Sequence, residues 1–597
     1  MEGERLSLED QVAQLAGQVE ALTRRVEQLS LKLERTPAKS GTAATNERPV
    51  WEEGDASEEL LSWIGKSSLL QRLSTLCFLL VIALILRTLT DSGLIDLQIG
   101  SLLGMGYAAL LMILGWRRYE KRNPLAPIFT ICGAVLMFLV VVETHTHFES
   151  LPSGPAYILL MLTGFGMATL SYLYRVPAPI AIGNLGMCLA GAAIDYPQPF
   201  FPYLGGLLLT ANLLGYFAAR AHKYSWLRWI MLFVTIFMIA TWGVKLGPAF
   251  LGKEKIPPVL APSFFLPLLA LFALSYPLTA FLRIKRVTTG RPARFDLLVP
   301  TINALWAFPL AQYVTFAMGE NTVFIGIIGI IAGLVHLLPA LWLAKHKQPG
   351  ALGANAFVFA GSVLLSLALP VALGSFLASL PILSALGFGL VFLAGSWQNG
   401  NVRLTSYLLQ IFAASALAFA MLTSPSDAQS YGAALAAAFL AVLSLLHYQR
   451  CRSLSPPAAS AFFTKFDNGD LSAAFLLLVS LLSAFFTLRI AAYQFLVLSV
   501  PAGNLNNAFQ SAQSVIINVS AAILMLFALA RHKKELRNIA VMVTIIGAIK
   551  VFLYDLIGGM HGLPLVISVF SFGITTSLES FGLTRWHNYN EATGERE

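Results

Sequence analysis

Residues Leu97–Val142 read LQIGSLLGMGYAALLMILGWRRYEKRNPLAPIFTICGAVLMFLVVV, two long apolar runs separated by the basic gap Arg117–Arg122. A helix needs about 20 apolar residues to cross a bilayer core. Lys and Arg in short loops stay on the cytoplasmic side. Outward from this stretch the same unit recurs along the chain. Further basic gaps lie at Arg175, Arg220–Arg228, Arg283–Arg294, Lys345–Lys347, Arg403, Arg450–Lys465 and Arg531–Arg537, and the gaps between them are neutral or acidic. These gaps hold more than half of the 40 Lys and Arg.

The alternation predicts an all-α fold, a polytopic transmembrane bundle of about 18 helices with both termini cytoplasmic. The first nine spans are 69–89, 97–116, 124–142, 154–174, 177–194, 200–219, 225–246, 259–282 and 296–318. The others are 321–344, 351–373, 376–394, 402–422, 431–447, 471–490, 511–530, 536–557 and 563–583. A membrane barrel would instead show ten-residue strands of alternating polarity. Gly164-Phe165-Gly166 and Gly387-Phe388-Gly389 stand on spans of the same orientation and hint at an internal repeat.

Composition points the same way. Charged residues make up 12% of the chain and mean hydropathy is +0.70, against roughly 25% charge in a soluble domain. The net charge of +9 sits in the basic gaps, so anionic lipid headgroups are the expected partner rather than nucleic acid. Cys77, Cys132 and Cys188 lie in apolar spans and Cys451 in a loop, with no CxxC, so neither a disulfide framework nor a zinc site is predicted. Met1–Asp10 lacks the basic-then-apolar pattern of a signal peptide.

Ahead of the first span, Leu8, Val12, Leu15, Val19, Leu22, Val26, Leu29 and Leu33 keep a 4-3-4-3 spacing. Val mostly at a and Leu at d favours parallel dimers. Residues 1–35 are therefore predicted to form a cytoplasmic coiled coil that joins copies of the chain. The alternative is an amphipathic helix lying on the protein or the membrane. Residues 36–57 read as a flexible linker, residues 58–68 as an interfacial segment carrying Trp63 and Lys66, and residues 584–597 as a cytoplasmic tail.

Several polar residues break the pattern. Arg87, Lys245, Arg489 and Lys550 fall near outer helix ends, with Asp91, Glu143, Asp195 and Asp555 at similar depth. A charge within a membrane helix costs roughly 2.5–3.5 kcal/mol on insertion scales unless paired or hydrated. Arg87 and Asp91, spaced i, i+4, can meet on one helix face. Lys550 and Asp555 stand about 140° apart on an ideal helix, so Lys550 is expected to pair elsewhere. Either these groups line an outward-facing polar cavity, or they are snorkelling side chains and structural ion pairs.

A second candidate is the proline-rich pair 259–282 and 296–318, where Asn303, Trp306 and Tyr313 share a face. Interrupted helices of this kind line transport pathways, although hydrogen-bonded amides in ordinary kinked helices explain them too. His336, Asn184, Asn212, Gln410 and Asn518 read as interhelical glue. Read as an extended strand, Glu143–Glu149 would put Glu143, His145, His147 and Glu149 on one side, a possible metal set; no established ligand spacing is present. Glu579 is expected to pair with Arg585 or face a cavity. No Walker A, GxSxG or haem motif occurs, and no cofactor is predicted.

Three stretches resemble the bacterial membrane proteins grouped as domain of unknown function 2339. They are Trp63-Ile64-Gly65 with the following span through Leu86–Gly93, the short loop Arg117–Arg122, and Lys550–Leu556. Relatives tend to carry an Arg soon after this last segment, whereas Leu563–Val566 here holds none. The resemblance implies the bacterial inner membrane and no particular activity. Three functions remain open: a secondary transporter or lipid/solute pathway, an oligomeric scaffold for envelope machinery, and a membrane transferase using a lipid-linked donor.

Overall fold

The computed structural model describes residues 69–593 apart from 124, 195, 197–199, 223–224, 253–261, 288–291, 348–349, 424–428, 458–459 and 559. Residues 1–71 form a unit separate from residues 72–597. The predicted coiled coil, linker and interfacial segment lie outside the described residues.

Nineteen α-helices follow one another among the described residues. They begin with α1 (Leu69–Asp91), α2 (Leu97–Glu120), α3 (Ala126–Thr146), α4 (Ser153–Tyr174), α5 (Pro177–Ile194), α6 (Phe201–His222) and α7 (Ser225–Leu251). Next come α8 (Pro262–Arg286), α9 (Arg294–Ala317), α10 (Val323–His346), α11 (Ala354–Leu373), α12 (Phe376–Ser396), α13 (Gly400–Thr423) and α14 (Tyr431–Arg452). The last are the short α15 (Ala461–Lys465), then α16 (Ala474–Ser499), α17 (Leu505–Arg531), α18 (Lys534–Ala548) and α19 (Leu563–Thr593). A π-helical turn, Ile549–Leu556, prolongs α18.

Seventeen helices are long and apolar enough to cross a membrane, and α1 adds the apolar stretch Phe78–Thr90. The chain is an integral membrane protein. Two helices outrun their predicted spans: α17 starts at Leu505 and α19 runs on to Thr593. Both extensions carry Asn, Gln, Arg or Glu, residues that hydropathy counts as loop but that keep a helix going beyond the hydrocarbon.

Helices in lipid gain little from hydrophobicity toward one another and associate through close packing of small residues. α10 and α11 show this most directly. A Cβ on Gly326 would lie 2.4 Å from the Ala372 backbone nitrogen, and one on Gly361 would lie 2.8 Å from the Gly333 carbonyl oxygen.

The packing repeats with an offset of eight helices. α2 packs on α3, α3 on α4 and α5, and α4 on α5 and α6; in the same way α10 packs on α11, α11 on α12 and α13, and α12 on α13 and α14. The two Gly-Phe-Gly tripeptides fall at equivalent places. Gly164 of α4 meets Met187 of α5, and Gly387 of α12 meets Ser406 of α13. Each is followed, at the same distance, by a left-handed residue that turns the chain: Arg175 (φ 57°) and Gln398 (φ 51°).

Candidate functional site

Charge sorts the two ends of the bundle. Arg117, Arg118, Arg283, Lys285, Arg286, Lys345, Arg450 and Arg452 all lie in last turns that end on one side, called here the basic face. Several of its cations are buried in closed ion pairs rather than solvated. Arg228 meets Asp296 at 2.5 Å, both 5% exposed or less, and stacks on the Phe295 ring at 4.0 Å. Arg283 reaches the second oxygen of the same carboxylate at 3.2 Å.

Arg403 pairs with Asp470 and donates to the Cys451 carbonyl at 2.7 Å and to the Tyr407 hydroxyl at 2.8 Å; that hydroxyl donates in turn to Asp470. Burial pushes the Asp470 carboxyl up, against the pull of Arg403 and Tyr407. The loop cations of the sequence are thus partly helix-to-helix joints. The signal was the carboxylates in or just beyond basic gaps: Asp296, Asp470 and Glu535, the last of which pairs with Arg452.

The predicted groups on the opposite face form separate contacts rather than one shared site. Arg87, 57% exposed, pairs with Glu143 at 2.8 Å; the side chain of Asp91 lies outside the described residues. Arg87 and Glu143 line a cleft of about 50 Å³ with Thr90, Ser101, Tyr107 and Phe148. Lys245 sits over Trp242 at 4.6 Å and Tyr196 at 5.3 Å, and Arg489 over Phe509 at 5.3 Å.

The extended-strand reading of Glu143–Glu149 is corrected. α3 continues through Thr146, and successive helical side chains diverge by about 100°. Glu143 therefore turns to Arg87, while His145 bonds the Leu151 carbonyl at 2.7 Å; His147 caps the helix and Glu149 lies beyond it. Among the described residues no group of three or more His, Cys, Asp and Glu could hold a metal.

The proline-rich pair has a local explanation. Pro277 has no N–H, which leaves the carbonyl four residues earlier, Ala273, without its helical partner. Asn303 Nδ2 donates to that carbonyl at 2.7 Å. Tyr313 turns instead toward Gly247 of α7, and the buried Trp306 Nε1 has no partner. The other single polar residues join helices too: Asn184 to the Ala211 carbonyl, Asn212 to Thr235 and Tyr276, and Gln410 to Ser384 and Ser444. His336 bonds within its own helix.

One set of polar residues does come together, between α17, α18 with its π turn, and α19. α17 contributes Ser511, Ser514 and Asn518 at steps of three and four, and α19 contributes Ser568, Ser571, Thr575 and Glu579 in the same way, so each set forms one stripe. Asp555, fully buried, accepts from Lys550 and from Ser514. Asn518 Nδ2 donates to Ser571 Oγ at 2.8 Å, and Thr575 donates to the Asn518 carbonyl at 2.9 Å. Deeper toward the basic face, Thr544 donates to Glu579 at 2.5 Å. Gly547 makes the approach possible, since a Cβ there would lie 2.5 Å from Asn518 Oδ1.

Two expectations are corrected here. Lys550 does pair with Asp555, because the π turn bonds i to i+5 and so stacks residue 555 over residue 550. Glu579 finds Thr544 rather than Arg585. The serines of the seam went unremarked in the sequence, where isolated hydroxyls on apolar helices are common; only their repeated three- and four-residue spacing marks them.

A family model described as a predicted membrane protein, domain of unknown function 2339, matches residues 66–498. The match covers well over half of the chain and ends within α16, ahead of the seam. No curated protein and no solved structure matches the chain.

Proposed function

We propose that this chain, which belongs to the family of predicted membrane proteins with domain of unknown function 2339, carries an ion or small solute across the bacterial cytoplasmic membrane. Lys550 and Asp555 form its outward-facing polar site. In this reading the basic face is cytoplasmic, with anionic lipids around its exposed cations.

The observation that carries the proposal is a fully buried carboxylate paired with a lysine on a π-helical turn inside a membrane span. A buried ion pair is often no more stabilising than apolar residues of the same volume. π turns recur at functional sites, and ionisable groups within the bilayer mark ion and substrate paths. Arg87, Lys245 and Arg489 stand apart from this pair and suit lipid headgroups at the outer interface.

Native mass spectrometry of the protein released from lipid nanodiscs tests the reading. A stoichiometric bound solute or lipid, lost in Lys550→Met at unchanged melting temperature, is expected. Retention of that species by the variant, or a collapse in melting temperature, would make the pair structural. The heptad seam from Leu8 to Leu33 supports an added scaffolding role through self-association. Removal of residues 1–35 is then expected to turn an oligomer into a monomer on light scattering.

A further inference from the structure

We propose that the seam between α17, α18 and α19 is a proton relay, with Asp555 and Glu579 as its two proton-exchanging groups. The inference rests on the transport reading above and names the coupling ion as the proton.

The two carboxylates differ in what surrounds them. Asp555 has Lys550 beside it, and Lys550 lies 4.4 Å from the ring centroid of Tyr554. Glu579, 6% exposed, has the Thr544 hydroxyl as its partner and no cation among the described residues. α17 brings no charged residue to the seam; its one charge, Arg531, closes the helix at the basic face. An unpaired charge inside the bilayer is costly, and a carboxylate avoids that cost by holding a proton.

The groups between the carboxylates both donate and accept hydrogen bonds, as proton transfer along a chain requires. Ser514 donates to Asp555, Ser571 accepts from Asn518 and donates to the Ser568 carbonyl, and Thr575 stands one turn before Glu579 on the same helix. Asn518 is fully buried and its Oδ1 has no partner, an acceptor left open in the middle of the seam. In the proposed step a proton from the outer side neutralises Asp555, and the Lys550 ammonium turns to water. Glu579, protonated at rest, releases its own proton toward the basic face, and the proton on Asp555 then passes inward along the hydroxyls to replace it, leaving the Asp555 carboxylate to pair again with Lys550.

Infrared difference spectroscopy of the full chain in nanodiscs, titrated with pH, reads the two groups directly. The expected result is a carboxylic-acid carbonyl band at neutral pH that Glu579→Gln removes. A second band should appear on acidification and be absent in Asp555→Asn. Both should shift in heavy water, and Glu579→Asp should keep a displaced band. If a variant fails to fold, the wild-type titration and its isotope shift decide alone. Absence of an exchangeable acid band overturns the relay, as do bands that respond to sodium rather than to pH. A bound solute without these bands would leave the transport reading standing and the relay refuted; the bands without a solute would do the reverse.

Discussion

Asp467 shows how single residues hold the basic face together. Its oxygens accept from the Leu471 and Ser472 backbone N–H groups at 2.5 and 2.8 Å, and from the Ser472 hydroxyl at 2.5 Å. These donors are otherwise orphans at the start of a helix. Burial alone would push the Asp467 carboxyl up, but the Ser472 and Leu471 hydrogen bonds outweigh it and leave it below the usual 3.8. A depressed carboxylate stabilises the fold above its unfolded-state pKa and loses that contribution as pH falls through its folded-state value. Asp467→Ala is therefore expected to cost about 1 kcal/mol at neutral pH, the usual worth of such a cap. The difference from wild type should shrink only below about pH 4. Thermal unfolding in detergent across pH measures it; an equal difference at pH 3 and pH 7 would refute the assignment.

At the scale of elements, proline and asparagine on neighbouring helices act as one unit. Pro277 opens the hydrogen-bond ladder of α8, and Asn303 of α9 closes it through the Ala273 carbonyl. Asn303→Ala should leave that buried carbonyl unpaired, at a cost of about 1–3 kcal/mol. Pro277→Ala restores a backbone donor to Ala273, so the same asparagine substitution made in that background should cost clearly less. A double-mutant cycle on melting temperature in detergent checks this. Additive effects would mean that Asn303 acts elsewhere. The prolines were legible in the sequence and their location on adjoining spans was too, but which carbonyl each one frees, and which amide answers it, depends on helix rotation that hydropathy does not encode. The same limit explains Lys550 and Asp555. Both residues stood out as charges in an apolar span, whereas their pairing depends on a π turn that no residue type announces.

For the whole molecule, span number and order were legible because the bilayer imposes one length and one charge rule on every crossing; α5 runs from Pro177 to Ile194, as the apolar run does. The eight-helix repeat was legible only as two tripeptides, since packing constrains a few small contact positions and leaves lipid-facing residues free to differ. The buried pairs of Arg228 and Arg403 were hidden because a loop cation and a buried cation look alike in a charge count. Orientation follows from that count alone and has a direct test. Cys132, Cys188 and Cys451 are buried, so once Cys77 is replaced by serine, introduced cysteines should report over a low background. Ser92 and Asn321 are exposed on the face opposite the basic one, and Ser453 and Lys533 on the basic face itself. With the basic face cytoplasmic, a membrane-impermeant maleimide on intact cells should label Ser92→Cys and Asn321→Cys. It should reach Ser453→Cys and Lys533→Cys only after lysis. The opposite labelling would turn the protein over in its membrane, and Lys550 and Asp555 would then face the cytoplasm, with Glu579 on the outer side of the seam.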